Sequence, residues 1–136
     1  MKKLLFILLP FTYQGQTINE VWNYAYHLGI KHHDIVMAQV ILESNHLKSD
    51  IFKKNNNLIG MKLATQRQTT AIGKDANGFA IYENWKWCLR DYLIYQNKYY
   101  KDDNEDYYDF LTRMGYDEKR GYSERLKVIV WKLWSC

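Results

Sequence analysis

The chain has 136 residues, with 47% hydrophobic and 25% charged side chains and a single proline. This length and balance predict one globular domain with one core, and they exclude a disordered or low-complexity protein. The net charge of +4 is mild, and acidic and basic residues are interspersed. No basic stripe of the kind that follows phosphates is present, so we expect no nucleic-acid partner, while cell-wall polymers and membranes stay open.

Residues 1–16 are typical of an export signal, in which "MKK" gives a positive start and "LLFILLPF" a short apolar segment. The apolar segment is too short to span a bilayer. Gly15 suits a cleavage site, but Tyr13 departs from the small-x-small rule, so an uncleaved segment or a hydrophobic N-terminal strand is the alternative. We predict an exported protein of the periplasm, cell envelope or extracellular space, without stable membrane insertion after processing. The mature domain would be residues 17–136.

Two cysteines, Cys88 and Cys136, leave the redox state open. A disulfide between them is possible in an exported protein and could stabilise it by about 4 kcal/mol in the chain-entropy model. Two free thiols are equally compatible, because Cys88 lies on a helical pattern and Cys136 is the chain end.

The first half of the mature chain predicts three helices. Thr17 and Glu20 form the pattern of a capping box at the start of the first helix, and Gly29 is a stop signal. Asp34 is the predicted cap of a second helix that runs to about Asn45. Residues 46–61 predict a short helix followed by a loop that contains "KKNNNLIG".

The second half predicts a small hairpin followed by three more helical segments. Between residues 62 and 82 the helical period disappears, and "GKDANG" before "FAIY" indicates two short strands around a turn. Asn84 caps a long helix, "EDYYDFLTRMG" a shorter one, and "YSERLKVIVWKLW" the last. The predicted fold class is α+β, mainly α, with a small β-hairpin lobe inserted mid-chain.

The second helix carries an unexpected acid. Its residues 35–42 are apolar except Gln39, and the apolar run then ends in Glu43, four residues further along the same helix face. Charged side chains are rarely buried without a partner or a function, so the pair should face a cleft. Apolar walls and the negative end of the helix dipole both disfavour the carboxylate, and we predict a raised pKa for Glu43. Such an acid suits proton donation to a leaving oxygen.

The segments "AQVILES", "NNLIGMK", "FAIYENW" and "GYDEKRGYSERL" occur in an order and spacing that resemble a known family. The resemblance is to the bacterial glucosaminidases, peptidoglycan hydrolases of glycoside hydrolase family 73 that include autolysin and flagellar-rod cap domains. It covers about residues 18–134, nearly the whole mature chain. It implies a lysozyme-like fold with a helical lobe and a small β lobe, and a peptidoglycan strand as the partner.

The resemblance also assigns roles to individual residues. It implies that Glu43 is the catalytic acid and that Tyr116 lies beside the cleft, where its hydroxyl would orient the N-acetyl group of the substrate or a water. Tyr82 and Tyr122 match further family tyrosines, with packing as their alternative role. Asn57 matches the Asn-Asn-Leu segment, where sugar binding and a purely structural loop are both open. Gln39 completes the expected substrate-binding set.

Two departures from the family affect the mechanism. After Glu43 and Ser44 the family has Gly-Trp-Gly, whereas this chain has Asn45, His46 and Leu47. Asn can adopt the left-handed turn of the glycine, and His46 would replace the tryptophan as a cleft wall. Many members also carry an acid after the Thr-Thr pair, where this chain has Ala71.

The missing acid leaves the second catalytic group open. Asp75 in the hairpin is the predicted candidate, with Glu83 beyond it. If neither reaches the cleft, the N-acetyl group of the substrate would act as internal nucleophile, or catalysis would be slow or absent.

The leading interpretation is a monomeric enzyme that cuts peptidoglycan on the reducing side of N-acetylglucosamine. A lytic transglycosylase or muramidase of the same fold, or a non-catalytic wall-binding module, are the alternatives. We expect no cofactor and no metal, because the four histidines and the acids show no HExxH or similar ligand spacing.

Overall fold

The computed structural model describes residues 17–116 and 120–135. The predicted signal segment and Cys136 lie outside the described residues. In the described part, helices predominate and one small sheet is inserted between them. The elements in chain order are α1 (Ile18–Leu28), α2 (His33–Glu43), α3 (Asp50–Asn55), β1 (Gly73–Lys74), β2 (Ala80–Ile81), α4 (Trp85–Tyr99), α5 (Tyr107–Arg113) and α6 (Tyr122–Trp134). The predicted mainly helical fold with a hairpin lobe is confirmed.

Helix α1 begins and ends where the sequence predicts. The Thr17 hydroxyl accepts a hydrogen bond from the Glu20 amide at 3.1 Å, and Glu20 Oε1 accepts one from the Thr17 amide at 2.9 Å. This reciprocal pair satisfies two amides that the first turn leaves without a helical partner. Gly29 ends the helix in the left-handed region, with φ of 79°.

Helix α2 lies at the centre of the molecule. Every residue from Ile35 to Ile41 is buried, and the helix packs against α1 and most extensively against α6. Its predicted start is wrong by two residues, because the helix begins at His33 and Asp34 lies in its first turn. The Asp34 carboxylate instead accepts hydrogen bonds from the Ile35 amide and the Trp134 indole, and so ties α2 to α6.

The chain leaves α2 through three successive left-handed residues: Asn45, His46 and Leu47, with φ of 50°, 57° and 66°. The prediction that Asn45 adopts this conformation is confirmed, and the turn extends beyond it. Ser44 supports the turn, because its hydroxyl donates to the Val40 carbonyl and accepts from the Leu47 amide. Left-handed backbone costs roughly 1–2 kcal/mol per ordinary residue, so this exit from the helix is locally strained.

The hairpin forms where predicted, but its strands are only two residues long. Gly73 pairs with Ile81 and Lys74 with Ala80, in antiparallel register. Asp75 shapes the turn, because its Oδ1 accepts hydrogen bonds from the Asn77 and Phe79 amides, both at 2.9 Å. An aspartate that bonds to the backbone two residues ahead is a standard turn former.

Helix α4 begins at its predicted cap and contributes buried residues to the core. The Asn84 side chain accepts a hydrogen bond from the Lys86 amide at 2.9 Å. Cys88 on this helix is a free, fully buried thiol, whose sulfur accepts a hydrogen bond from the Leu58 amide at 3.3 Å. Burial raises the pKa of the Cys88 thiol to about 12. Of the two redox states that the sequence left open, the structure shows the free thiol at Cys88.

Candidate active site

A cavity of about 630 Å³ opens between the helical part of the molecule and the loop that precedes the hairpin. This size lies within the range of small-ligand pockets. The cavity has two walls. The helical wall comprises Glu43, Tyr95, Tyr99, Met114, Gly115, Tyr116 and Tyr122, and the loop wall comprises residues 59–67 with Phe79.

Glu43 is the acid at which the two walls meet. It is the last residue of α2, its side chain is half-buried, and it lines the cavity. Gly60 of the loop wall passes close by, so that a Cβ added there would lie 3.5 Å from Glu43 Oε1. Gly60 also has φ of 69°, a conformation that a glycine adopts without strain. The backbone conformation therefore favours a glycine here, and the loop lies in van der Waals range of the carboxyl group.

Tyr122, the first residue of α6, lies next to the Glu43 carboxyl. Its hydroxyl accepts a hydrogen bond from Gln39 Nε2 at 3.2 Å and is close enough to the Glu43 carboxyl to interact with it. Burial, together with the nearby Glu43 carboxylate, raises the pKa of Tyr122 well above its usual value. The phenol therefore keeps its proton at neutral pH and is available as a donor to Glu43.

The helical wall continues as a row of four tyrosine rings. Neighbouring ring centroids are 5.4 Å apart for Tyr99 and Tyr95, 6.2 Å for Tyr95 and Tyr116, and 6.3 Å for Tyr116 and Tyr122. Aromatic faces of this kind pack well against the apolar faces of sugar rings. Desolvation raises the pKa of Tyr116 well above its usual value, so this hydroxyl also stays protonated.

The loop wall is anchored by a buried ion pair. Arg67 Nη1 lies 2.7 Å from Asp91 Oδ1, and the exposed fractions of the two side chains are 6% and 0%. Asp91, on α4, also accepts a hydrogen bond from the Tyr82 hydroxyl at 2.6 Å and one from the Thr70 amide. The carboxylate thus joins the loop wall, the hairpin and α4 through charge-assisted hydrogen bonds.

A second anchor of the loop wall is Asn57. Its side-chain amide donates to the Met61 and Ala80 carbonyls, and its Oδ1 accepts from the Ile59 and Met61 amides. Four bonds from one buried side chain fix the turn that presents Gly60 to the acid. Without Asn57 the Ile59 and Met61 amides of this turn would lose their acceptor.

Of the eight predicted site residues, the structure brings three to the cavity: Glu43, Tyr116 and Tyr122. Gln39 does not reach it, because its side chain is fully buried and bonded to Tyr122 and Tyr92. The expectation that Gln39 faces the cleft is thereby corrected, since α2 is enclosed on the side of Gln39 as well.

The other predicted binding residues also lie outside the cavity lining. His46 is exposed at the left-handed turn, so it does not replace the missing cleft tryptophan in this structure. Tyr82 is buried with its hydroxyl on Asp91, and Asn57 is buried within its loop. For these two, the structural alternatives that the sequence left open describe the observed contacts.

Asp75 and Glu83, the candidates for a second acid, are also not among the residues that line the cavity. The Asp75 carboxylate is occupied by the turn amides and by Asn55 Nδ2 at 2.9 Å. These hydrogen bonds, with that of Asn55 first, lower the pKa of Asp75. Ala71 packs against the core. Within residues 17–116 and 120–135, Glu43 is the one carboxylate in the cavity lining.

Sequence reasoning missed Tyr95, Tyr99 and Arg67 as cavity residues. Tyr95 and Tyr99 are four residues apart and therefore share one face of α4, which was a readable signal. The side of the molecule that this face meets depends on the tertiary packing, so the cavity itself was not readable. Arg67 lies in a loop without periodicity, and its partner Asp91 is 24 residues away.

Among the described residues, no group of three or more His, Cys, Asp or Glu side chains is arranged to hold a metal ion. No described helix combines the length and apolar character needed to cross a bilayer.

A mainly helical lobe, a small hairpin lobe and a groove that holds a half-buried glutamate are the features of a lysozyme-like fold. The sequence pattern of the glucosaminidase family, described as mannosyl-glycoprotein endo-beta-N-acetylglucosaminidase, matches residues 18–134. The chain belongs to this family, as its resemblance predicted, and family membership supports a glycoside hydrolase.

Two solved structures share the fold. A type VI secretion system effector-immunity complex from Pseudomonas protegens contains a chain with 14% identity and a TM-score of 0.67, over 88% of this chain and 92% of that one. The catalytic domain of the autolysin Auto from Listeria monocytogenes has 17% identity and a TM-score of 0.56, over 97% and 96% of the two chains. At these identities the similarity concerns the fold. A search of curated proteins found no match.

Proposed function

We propose that this protein hydrolyses the glycan strand of peptidoglycan on the reducing side of N-acetylglucosamine, with Glu43 as the proton donor. The observation that carries the proposal is the position of Glu43, half-buried at the junction of an aromatic wall and a loop wall in a family of glycosidases. Tyr116 lies on the same wall, and in this proposal its hydroxyl would orient the acetamido group of the sugar.

The single carboxylate in the described lining favours a substrate-assisted reaction. The acetamido carbonyl oxygen of the substrate would attack C1 of its own sugar while the bond from C1 to the bridging oxygen breaks. Glu43 would give its proton to that oxygen, and the leaving strand would depart as an alcohol. Water would then attack C1 while the bond from C1 to the acetamido oxygen breaks and the acetamido group is restored, and the Glu43 carboxylate would take the water proton and return to its starting state.

The chemical products test the proposal. Purified peptidoglycan digested with the full chain is reduced with borohydride, and the soluble fragments are analysed by mass spectrometry. We expect reduced N-acetylglucosamine ends. Anhydro-muramic ends would indicate a lytic transglycosylase, and reduced muramic ends a muramidase. Protein that pellets with peptidoglycan and releases no soluble sugar would indicate a wall-binding module, and each of these three results would contradict the proposal.

The substrate-assisted route is tested by removing the other acids one at a time. Asp75→Asn and Glu83→Gln should each retain the wild-type rate of sugar release. The same is expected of Asp117→Asn and Glu118→Gln, acids that follow Tyr116 in the sequence and lie outside the described residues. A rate loss of about a hundredfold in one of these variants would instead identify a second catalytic carboxylate.

A peptidoglycan substrate places the working protein in the cell envelope or outside the cell. The proposed export signal in residues 1–16 agrees with this location. Cleavage is tested by N-terminal sequencing of the protein recovered from the envelope fraction.

A further inference from the structure

A chain of buried hydrogen bonds joins side chains of four helices, α4, α5, α2 and α6. It runs from Gln96 to Tyr122, next to the proposed acid. Gln96 on α4 bonds to Tyr107 on α5, Tyr107 to Tyr92 on α4, and Tyr92 to Gln39 on α2. Gln39 then donates to the Tyr122 hydroxyl, which lies beside the Glu43 carboxyl. The five intermediate side chains, each at most 2% exposed, are Gln96, Tyr107, Tyr92, Gln39 and Tyr122.

The backbone of Lys31 fixes one end of this chain. The Lys31 amide donates to Gln96 Oε1 at 2.7 Å, and Gln96 Nε2 donates to the Lys31 carbonyl at 2.9 Å. A peptide group has one donor and one acceptor, so this pair of bonds sets the orientation of the Gln96 amide. The second Nε2 hydrogen of Gln96 therefore points to the Tyr107 oxygen, which lies 2.9 Å away.

The direction of every later bond follows, because each phenol has one hydrogen. Among the described residues the Tyr107 hydroxyl bonds to Gln96, which donates to it, and to Tyr92, so its one hydrogen goes to Tyr92, at 2.5 Å between oxygens. Tyr92 accepts that hydrogen and so donates to Gln39 Oε1 at 2.9 Å. Gln39 must then present its Nε2 to Tyr122, whose own hydrogen is left for Glu43.

We infer that this one-way chain makes Gln39, Tyr92 and Tyr107 positioning residues, which hold the Tyr122 hydroxyl hydrogen on Glu43 and stabilise the carboxylate that forms when Glu43 gives up its proton. The inference rests on the proposed function for its catalytic meaning. Hydrogen bonds in series polarise one another, so each donor strengthens the next. The raised pKa values of these phenols, about 12 for Tyr107 because of burial, keep them protonated as donors.

The surroundings of Glu43 contain other groups that a titration must take into account. The described titratable and charged side chains that line the cavity, or lie close to Tyr122 from α6, are Lys62, Arg67, Tyr95, Tyr99, Tyr116 and Arg125. His32 stacks on Tyr107 with ring centroids 4.8 Å apart. Its Nε2 lies 3.0 Å from the Tyr100 hydroxyl, so it is not part of the hydrogen-bond chain. Substitution of Tyr92, Tyr107 or Tyr122 leaves all of these groups in place.

The test is a graded series of Tyr→Phe variants, read by a carbon NMR titration of the Glu43 carboxyl in the full protein without substrate. Tyr122→Phe removes the direct donor and should raise the pH at which Glu43 titrates by about one to two units. Tyr92→Phe should raise it by about 0.3 units, and Tyr107→Phe by less, because each lies further from the acid.

The matched control is Tyr100→Phe, which removes a buried hydroxyl from the same aromatic cluster. The Tyr100 ring packs 5.0 Å from that of Tyr107, but its hydroxyl donates to the Glu105 carbonyl and belongs to no step of the chain. We expect no measurable change in the Glu43 titration for this variant, even if its thermal stability falls.

In turnover, Tyr92→Phe should lower kcat about twofold with KM unchanged and move the alkaline limb of the pH profile upward.

A Tyr92→Phe protein that folds and titrates like Tyr100→Phe would overturn the inference. If Tyr92→Phe does not fold, Tyr107→Phe is read in the same way, and a titration equal to that of the control again contradicts it. The proposed function can fail separately: full activity in Glu43→Gln would remove Glu43 as the acid, while the titration series, recorded without substrate, would still measure the coupling.

Discussion

The two walls of the cavity are built by different physical means. The helical wall consists of side chains that project from α2, α4, α6 and the segment between α5 and α6, and its tyrosines pack ring against ring in a continuous row. The loop wall has little regular structure. Side chains buried behind it, chiefly Asp91 and Asn57, hold it through ion-pair and hydrogen-bond contacts.

The two walls therefore have different roles in the proposed reaction: the helical wall carries the acid, and the loop wall covers it. The proposed acid and the tyrosines that contact it belong to the helical wall, where close packing holds the side chains in defined positions. The loop wall closes over the acid and brings Gly60 beside it. The loop wall should therefore depend on a few polar contacts, and its loss should expose Glu43 without unfolding the helices.

The largest stability effect should come from breaking the ion pair behind the loop wall. Asp91→Ala leaves the Arg67 guanidinium buried without its partner and the Tyr82 hydroxyl without its acceptor. We expect the free energy of unfolding to fall by about 3–5 kcal/mol, measured by urea denaturation. Peptidoglycan cleavage should fall with it, because residues 63–67 lose their anchor.

The control for this change is Asp103→Ala, which removes an ion pair at the surface. Lys31 and Asp103 lie 2.5 Å apart, but their side chains are 48% and 72% exposed. Exposed pairs contribute about 0–1 kcal/mol, so little change is expected. Equal losses for the two variants would show that the buried pair does not hold the loop wall, and the contrast between the walls would be wrong.

A smaller effect should come from His46, which lies next to the acid in sequence but belongs to neither wall. His46→Gly removes a left-handed strain of φ 57° from an exposed residue and should raise the free energy of unfolding by about 1 kcal/mol. KM for peptidoglycan should not change. A several-fold rise in KM would return His46 to the substrate-binding set and extend the helical wall beyond Glu43.

The sequence predicted the helical wall better than the loop wall, and the reason is physical. The apolar run from Ile35 to Leu42, after a helix-start signal at Asp34, indicated a buried helix with Glu43 at its end. The capping signals at Thr17 and Asn84 are local and were confirmed. The hairpin was also readable, because "GKDANG" carries its own turn chemistry.

What could not be predicted depends on contacts between distant residues. Gln39 was expected to face a cleft because a polar residue in an apolar helix needs a partner, and its partners are Tyr92 and Tyr122, 53 and 83 residues away. Asp75 was considered as a second acid because it is an acid of the hairpin, where many family members carry one, whereas its carboxylate shapes the turn and bonds Asn55. Residue type and spacing show that a polar group needs a partner, but only the fold identifies that partner.

The most direct test of the account is the rate at which Glu43→Gln releases soluble sugar from peptidoglycan. Glutamine keeps the size of the side chain and one acceptor oxygen but cannot give up a proton to a bridging oxygen. The account predicts a folded protein that still pellets with peptidoglycan and releases sugar about a thousandfold more slowly than wild type. A variant that cuts within about tenfold of the wild-type rate would contradict the assignment of Glu43 as the acid.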